Sequence, residues 1–245
     1  TFPALIQRIE EQKSFDDLPG LTLRAGSTIQ RNEDVEHIKD LDSLPMPAAH
    51  YNFHHLAVSR GCPGKCTFCG SPKFWGTKVR FHSADYFVDQ VEILYKKGRR
   101  FFHFSDDTFT LRKKLVLEIC ALIVERKLDI TWAAISRVDC IDHEMLKAMR
   151  MAGCIQISFG VESGSEIIRN ELNKKFSEEQ IHRAFALTVS YGILARAYII
   201  YGCPGENPET VKDTIRLLRD IRTLVTIFYV LSVFPWTSLY DLFQS

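Results

Sequence analysis

Short apolar runs alternate with amphipathic stretches along the chain from His54 onward. Such runs predict buried strands, and the stretches between them predict helices, which is the pattern of a parallel sheet. Six parallel strands with helical crossovers leave two architectures, an open doubly wound sheet and a partial barrel. The six runs are HHLAVS (54–59), FFHFSD (101–106), ITWAAIS (130–136), IQISFGV (155–161), ARAYIIY (195–201) and VTIFYVLSVF (225–234).

Capping signals mark where the intervening helices begin and end. Ser83 and Gly98 bracket one helix, because Ser favours the first cap and Gly the position after the last turn. Ser177 and Gln180 form a capping-box pattern, and Asn207 precedes a proline at the first helical position. In both architectures the chemistry belongs at the carboxyl ends of the strands.

The first 50 residues lack a sustained hydrophobic period. Pro19-Gly20, Gly26 and the pair Pro45 and Pro47 are typical of turns and an extended linker. We therefore expect residues 1–50 to be a connector and residues 51–245 to form the main domain. Because the sequence starts without Met and stops in a helical pattern, we expect a piece of a longer protein, truncated at its C-terminus.

Composition and charge exclude several classes of protein. Hydrophobic residues make up 46% of the chain and charged residues 25%, which is ordinary for a globular protein and excludes a disordered or fibrous one. Lys and Arg number 31 against 30 Asp and Glu, so we expect no nucleic-acid partner. No apolar run reaches about 18 residues and no secretory signal opens the chain, so we expect no membrane partner and a cytoplasmic location.

Three of the seven cysteines lie in one octapeptide directly after the first predicted strand. Cys62, Cys66 and Cys69 can converge on one centre, and thiolates select iron-sulfur clusters or zinc. A structural zinc ion normally takes four protein ligands, whereas a four-iron cluster on three cysteines leaves one iron open for a small molecule. Both interpretations remain open from the spacing alone. The nearby candidates for a fourth zinc ligand are His54, His55 and His82.

The octapeptide CPGKCTFC resembles the CxxxCxxC cluster motif of the radical S-adenosylmethionine (SAM) superfamily, with Phe68 as the aromatic residue before the last cysteine. The resemblance implies an α/β fold, a partial (β/α)6 TIM-like barrel with parallel strands, and a 4Fe-4S cluster on Cys62, Cys66 and Cys69. It also implies an enzyme that reductively cleaves SAM to a 5′-deoxyadenosyl radical, which abstracts hydrogen from a small-molecule substrate. A low-potential electron donor such as flavodoxin or ferredoxin would supply the electron.

Two further strand ends resemble segments that bind the methionyl part of SAM. By resemblance, Asp106 and Asp107 in FSDDTF lie where the family binds the methionyl ammonium, and Arg137 lies where it can pair with the methionyl carboxylate. The residues alone allow simpler interpretations. The two carboxylates also suit a helix cap, and Arg137 can instead form an ion pair with Asp139 or Asp142.

The remaining strand ends resemble segments that bind the rest of the cofactor. FGVES matches the family segment whose acid contacts the SAM ribose, which implies that Glu162 and Ser163 bind there. Lys174 lies where relatives often place a basic residue toward the SAM carboxylate, although Lys174 or the adjacent Lys175 can simply be solvated. Gly202 and Pro204 belong to a turn similar to the family's GxPGE, which packs near the adenine; alone it is only a Gly-rich loop.

The N-terminal stretch indicates a branch of the family. LPGL (18–21) and DLDSLPMP (40–47) resemble the connector between a cobalamin-binding domain and the barrel, which implies cobalamin held by a domain absent from this chain and a role in methyl transfer or ring rearrangement. One alternative is a methylthiotransferase, which would need cysteines upstream, and residues 1–61 contain none. The other alternative is a non-catalytic iron-sulfur electron carrier.

Three single residues receive interpretations of their own. His103 alternates with apolar neighbours, so we expect a core histidine whose hydrogen bonds are satisfied. Cys203 lies near the presumed adenine, and we expect it to serve packing. Trp236 stands where many relatives of this resemblance have the glycine of a Pro-Gly pair, which leaves the local backbone shape open.

Overall fold

The computed structural model describes residues 1–244, which form two compact units, residues 1–39 and the residues from Asp40 onward. The first unit contains one helix and one antiparallel hairpin, neither of which the sequence predicted. The predicted turns at Gly20 and Gly26 are present, with φ of +76° and +64°. That these residues connect two domains stays a prediction. The elements are α1 (Phe2–Glu10), β1 (Thr22–Ala25) and β2 (Thr28–Arg31).

The second unit is built on a six-stranded sheet in which every pair is parallel. Its strands are β3 (His55–Leu56), β6 (Phe101–Phe104), β7 (Thr131–Ser136), β8 (Cys154–Glu162), β9 (Leu194–Tyr201) and β10 (Val225–Val230), while β4 (Ser59–Arg60) and β5 (Arg80–Phe81) form a separate antiparallel pair. The order across the sheet is β10-β9-β8-β7-β6-β3. The predicted α/β fold with a partial, six-stranded parallel barrel is confirmed.

Helices follow the strands and begin where the capping signals placed them. The Ser83 hydroxyl accepts the Tyr86 N–H, Ser177 and Gln180 form the predicted capping box, and the Asn207 side chain caps its helix. Among residues 1–244, no helix combines the length and apolar character that crossing a membrane requires. The helices of this unit are α2 (Pro47–His50), α3 (Ser71–Trp75), α4 (Ala84–Lys96), α5 (Lys113–Glu125), α6 (His143–Met151), α7 (Glu166–Glu171), α8 (Glu178–Ser190), α9 (Pro208–Asp220) and α10 (Ser238–Gln244).

The hydrophobic core lies between one face of the sheet and the helices. Phe104 stacks on Trp132 with ring centroids 4.5 Å apart and meets Phe87 of α4 edge-on at 4.9 Å. The Trp132 indole N–H donates to the carbonyl of Ala152 at 2.7 Å, which satisfies its polar atom inside the core. Side chains alternate between the two faces of a strand, so His103, which precedes Phe104, lies on the opposite, inner face.

Candidate functional site

The cysteine octapeptide forms a loop directly after β4, beyond the carboxyl end of β3. All three sulfurs are free thiols and partly exposed. The Gly64 N–H donates to the sulfur of Cys62 at 3.4 Å, and a Cβ at Gly64 would lie 3.3 Å from that sulfur and 3.8 Å from the sulfur of Cys66. Glycine therefore keeps open the space between two of the thiols. Burial raises the pKa of the Cys66 and Cys69 thiols, so a cationic centre would be needed to hold them as thiolates.

The arrangement of the donors fits an iron-sulfur cluster better than a single zinc ion. A structural zinc ion takes four protein ligands, and the octapeptide supplies three thiols. The candidate fourth zinc ligands are also engaged elsewhere. His82 is buried with its Nδ1 2.9 Å from Asp42, and His54 and His55 gather with His103.

A cavity of about 380 Å³ adjoins this loop. Its lining carries three basic side chains and a carboxamide, which makes it suited to an anionic group. The residues that line the cavity are Pro63, Gly64, Lys65, Leu111, Arg137, Asn173 and Lys175. Soft sulfur donors beside a basic cavity match the chemistry of a cluster that shares its site with a carboxylate-bearing cofactor.

Glu162 and Lys174 form a buried ion pair at the end of β8. Their Oε1 and Nζ atoms are 2.8 Å apart, and the residues are only 6% and 7% exposed. The pairing of β8 with β9 shifts register between Gly160 and Glu162, and Glu162 adopts φ of +66°. A bulge of this kind re-aims a side chain at a strand end, and a non-glycine residue with positive φ is strained there.

The surroundings of Lys174 connect the ion pair to the cysteine loop. Burial by itself lowers the pKa of Lys174, but the charges of Glu162 and Cys66 raise it overall, so the ammonium stays protonated. Its Nζ lies 5.8 Å from the ring centroid of Phe68. Phe68 in turn packs against a small buried cluster. The cluster consists of Ile168, Leu172, Ile200 and Cys203, which confirms the packing role expected of that cysteine.

Arg137 lies between the cysteine loop and the end of β7. Its Nε and Nη2 donate to the two carboxylate oxygens of Asp139 at 2.9 Å and 2.7 Å, so the ion-pair alternative is present in the structure. This bidentate bond raises the pKa of Arg137. The third nitrogen, Nη1, lies 3.7 Å from the position of a Cβ on Gly64. Arg137 is therefore paired with Asp139 and still presents one nitrogen beside the thiols.

The adjacent carboxylates after β6 have different surroundings. Asp106 is 2% exposed and accepts the backbone N–H groups of Val58 at 3.2 Å and Ser59 at 2.7 Å, together with the Ser59 hydroxyl. Burial raises its pKa to about 6 against these hydrogen bonds. Asp107 is exposed and accepts the hydroxyl of Ser71. Asp106 thus fastens two strands rather than capping a helix, and its contact with SAM stays a prediction.

The other predicted contact residues lie in the loops after β8 and β9. The Ser163 hydroxyl is buried and bonds to Thr214 of α9 at 3.2 Å, so it stabilises the loop. Gly202 adopts φ of +82°, and its N–H donates to the Glu206 carboxylate at 2.5 Å. Pro204 follows in the same turn and is half-buried. The structure brings the turn near the cluster that packs on Phe68, through Cys203.

Two positioning residues were missed by sequence reasoning. Asn173 adopts φ of +56° after α7, and its side-chain amide donates to the carbonyl of Lys65 in the cysteine loop at 2.6 Å. Asn is common in this left-handed position after a helix, so ELNKK carried a usable signal. Arg169 is fully buried and donates to the carbonyls of Ser163 and Gly164. An arginine in a short amphipathic helix normally indicates a solvated face, so nothing in the sequence pointed to it.

Comparison with known proteins agrees with this geometry. The Radical SAM superfamily profile matches residues 56–218. An uncharacterized methyltransferase of Pyrococcus horikoshii is 30% identical over 253 residues, which covers 98% of this chain and 55% of that protein. The anaerobic magnesium-protoporphyrin IX monomethyl ester cyclase of Rubrivivax gelatinosus is 32% identical over 189 residues, covering 76% of this chain and 33% of the cyclase.

The fold has close counterparts among solved structures. The radical SAM methyltransferase TsrM of Kitasatospora setae, with cobalamin and a [4Fe-4S] cluster bound, superposes with a TM-score of 0.82 at 19% identity. That match covers 96% of this chain and 50% of TsrM, so the chain spans about half the length of such relatives. The family profile confirms, over two thirds of the chain, the resemblance found in the cysteine octapeptide. The chain belongs to the radical SAM superfamily.

Proposed function

We propose that this chain is the SAM-cleaving barrel of an enzyme that carries out cobalamin-linked methyl transfer or ring rearrangement. The observation that carries the proposal is the meeting of the cysteine loop, the Glu162–Lys174 pair and Arg137 at one edge of the sheet. Neither a zinc module nor an electron carrier needs a strained, ion-paired carboxylate at that edge. The proposal rests on this arrangement together with membership of the radical SAM superfamily.

Cys62, Cys66 and Cys69 are the residues that would hold the cluster. When bound, a 4Fe-4S cluster supplies the electron that breaks SAM into methionine and a 5′-deoxyadenosyl radical. The protein's part is to hold the cofactors, set their surroundings and exclude competing reactions. Gly64 contributes room between two thiols, and Asn173 fixes the loop through the Lys65 carbonyl at 2.6 Å.

Glu162 is assigned to the hydroxyl groups of the SAM ribose. Lys174 holds Oε1 at 2.8 Å, and Oε2 has no hydrogen-bond partner among residues 1–244. An ionised carboxylate only accepts hydrogen bonds, so the second oxygen is free to receive a hydroxyl. Lys174 holds the Glu162 carboxylate in place, which makes it a positioning residue for this contact.

The methionyl end of SAM is assigned to the basic cavity beside the cysteines. The Nη1 of Arg137 faces Gly64 and does not bond to Asp139, so it can donate to a carboxylate there. Asp107 is the freer of the two acids at the end of β6 and is the better candidate for the methionyl ammonium. Gly202 and Pro204 are assigned to the edge of the adenine, because a Cβ at Gly202 would meet no atom within 4 Å, which leaves space beside this turn.

Cobalamin dependence and partners are proposed at a coarser level. TsrM is described with cobalamin bound, and this chain spans half of it, so cobalamin would bind in a part of the parent protein outside the chain. We assign a small-molecule substrate, a flavodoxin- or ferredoxin-like donor and a cytoplasmic location. The net charge of +1 gives no support to a nucleic-acid substrate.

The test is anaerobic reconstitution with iron and sulfide, then reduction by dithionite with SAM and chromatography for 5′-deoxyadenosine. We expect the wild type to form 5′-deoxyadenosine and Cys66→Ala to form none, because two thiolates do not hold the cluster. Cys140→Ala is the matched control, since that thiol lies outside the loop, and it should retain both iron and product. A wild type that assembles the cluster but neither binds nor cleaves SAM would contradict the proposal.

A further inference from the structure

Three histidines gather where the edge strand β3 pairs with β6. The ring centroids of His54 and His55 are 4.6 Å apart, and those of His55 and His103 are 4.7 Å apart. One nitrogen from each ring can be chosen so that all three lie within 4.8 Å of one another. His103 is therefore not the satisfied core histidine that the sequence predicted: strand alternation does not distinguish the helix-facing side of a barrel from its interior.

The backbone fixes the three rings relative to one another. His55 and His103 are register partners across the parallel pair of β3 and β6, and the His103 N–H donates to the His54 carbonyl at 2.7 Å. The ladder that holds the sheet together therefore holds the three imidazoles together. Such placement on strands is more rigid than placement on loops.

Hydrogen bonding leaves one nitrogen of His55 as a free acceptor. Its Nδ1 lies 2.8 Å from the Ser105 hydroxyl, and that hydroxyl donates its own proton to the His103 carbonyl at 3.3 Å. In the tautomer that matches this pattern, the hydroxyl accepts from Nδ1–H and Nε2 keeps a lone pair. A neutral imidazole whose second nitrogen donates to an outer partner is the usual state of a metal ligand.

The rings of His54 and His103 are available as well, and Arg196 lies close enough to His103 to act on it electrostatically. No hydrogen bond joins the ring of His54 or His103 to another described residue. Arg196 donates to the Gln156 carboxamide oxygen at 2.8 Å, and its positive charge would favour an anionic partner on any cation bound nearby.

A second group of possible metal ligands lies on helices α8 and α9, and its two acids are already paired with an arginine. Glu178, His182 and Asp220 also have ligand atoms within 4.8 Å of one another. Arg216 engages both acids, with two nitrogens on the Glu178 carboxylate at 2.7 Å and 2.9 Å. Arg216 already compensates the negative charge of the two acids, so we propose no metal site at this group.

We propose that His54, His55 and His103 bind one divalent transition-metal ion at the β3–β6 edge of the barrel, in addition to the cluster. Imidazole nitrogens suit zinc, nickel, copper and ferrous iron. Three protein ligands leave a coordination position open for a water or an anionic group, as in catalytic rather than structural sites. The proposal does not depend on SAM cleavage and would hold for a chain that cleaves no SAM.

The test is titration of the anaerobically reconstituted chain with Zn²⁺ against a chromogenic chelator, with iron counted in the same samples. Iron in the cysteine loop prevents zinc from entering there, and an unchanged iron count verifies this. We expect one zinc ion per chain in the wild type, and none at the same free zinc in His55→Ala or His103→Ala. His50→Ala, which removes an exposed histidine outside the group, should bind as the wild type does.

Ser105 provides a variant that leaves all three ligands in place. Loss of an outer hydrogen-bond partner typically weakens metal binding about tenfold to a hundredfold, which we expect for Ser105→Ala, with rescue by Ser105→Thr. Co²⁺ gives an independent readout, because its visible absorption reports the coordination of the bound ion. Equal zinc affinity in the wild type, His55→Ala and His103→Ala would overturn the proposal, as would a wild type that binds no zinc.

Discussion

Asp106 and Glu162 are both buried carboxylates at strand ends, but the chain compensates them in opposite ways. Asp106 is surrounded by neutral donors, two backbone N–H groups and a hydroxyl, and burial dominates, so its pKa is raised to about 6. Glu162 meets a full positive charge on Lys174 at 2.8 Å and sits on strained backbone. The first arrangement fastens strands, whereas the second holds a carboxylate at a fixed place beside a positive charge.

The comparison shows why an acid at a strand end is not by itself a cofactor ligand. Both residues resembled SAM contacts in the sequence, yet each oxygen of Asp106 already accepts a hydrogen bond. The local strain at Glu162 persists only because the surrounding structure enforces it, and such strain is concentrated at functional sites.

Removing one partner of the ion pair should have the largest effect. Glu162→Ala leaves the Lys174 ammonium buried and unpaired, which should lower the free energy of unfolding by about 3–5 kcal/mol, as measured by denaturant titration. The double variant Glu162→Gln/Lys174→Met should recover most of this stability but not the affinity for SAM. Glu166→Ala, an exposed acid at the start of α7, is the control and should change stability by less than about 0.5 kcal/mol.

The raised pKa of Asp106 predicts a pH dependence of stability. Between pH about 4 and 6 the native state binds a proton at Asp106 more tightly than the unfolded chain does, so stability falls as pH rises through this window. A pKa raised from 3.8 to about 6 corresponds to a decrease of about 3 kcal/mol in the free energy of unfolding. The decrease is complete above pH 6. Asp106→Asn should lack this component, and Asp107→Asn should retain it. Parallel stability curves for the wild type and Asp106→Asn would contradict the description of Asp106.

Gly160→Ala tests whether the Glu162–Lys174 ion pair depends on its close approach to the backbone at Gly160. A Cβ there would lie 2.5 Å from the Glu162 Oε1 and 3.1 Å from the Lys174 Nζ, so the pair must move. We expect a loss of about 1–3 kcal/mol in stability and weaker SAM binding. Gly70→Ala is the matched control for stability, because a Cβ at that position meets no atom within 4 Å. Unchanged SAM affinity in Gly160→Ala would show that the position of Glu162 is not needed.

The partly exposed pair of Arg137 and Asp139 should have the smallest effect. Its side chains are 20% and 26% exposed, and pairs open to solvent contribute about 1 kcal/mol or less. Asp139→Asn should therefore change stability little and preserve SAM binding, whereas Arg137→Met should weaken SAM binding in a calorimetric titration. Equal SAM affinities in the two variants would remove Arg137 from the cofactor site.

Local signals in the sequence predicted most of the barrel. The caps at Ser83, Ser177 and Asn207 were correct because the side chain and the N–H it accepts lie within three residues of each other. The hairpin of the first unit was missed because β1 and β2 are four residues long and almost wholly exposed, so they carry no apolar period. The family assignment needed only the cysteine octapeptide and the order of the later motifs.

Details of the site depend on contacts between residues far apart in the chain. The sequence did not distinguish Lys174 from Lys175, and burial does: Lys174 pairs with Glu162, while Lys175 lines the cavity. It did not reveal the bulge that re-aims Glu162. Trp236, in the place of a glycine, keeps a left-handed backbone with φ of +65°, which the residue type argues against.

Electron paramagnetic resonance of the reduced cluster, with and without SAM, tests most directly whether the Glu162–Lys174 pair forms the cofactor site. The wild type and Glu162→Gln/Lys174→Met should assemble the same cluster, because neither residue holds iron. We predict that SAM changes the wild-type spectrum and leaves that of the double variant unchanged at the same concentration. An identical response of both proteins to SAM would contradict the claim that the Glu162–Lys174 pair forms the cofactor site.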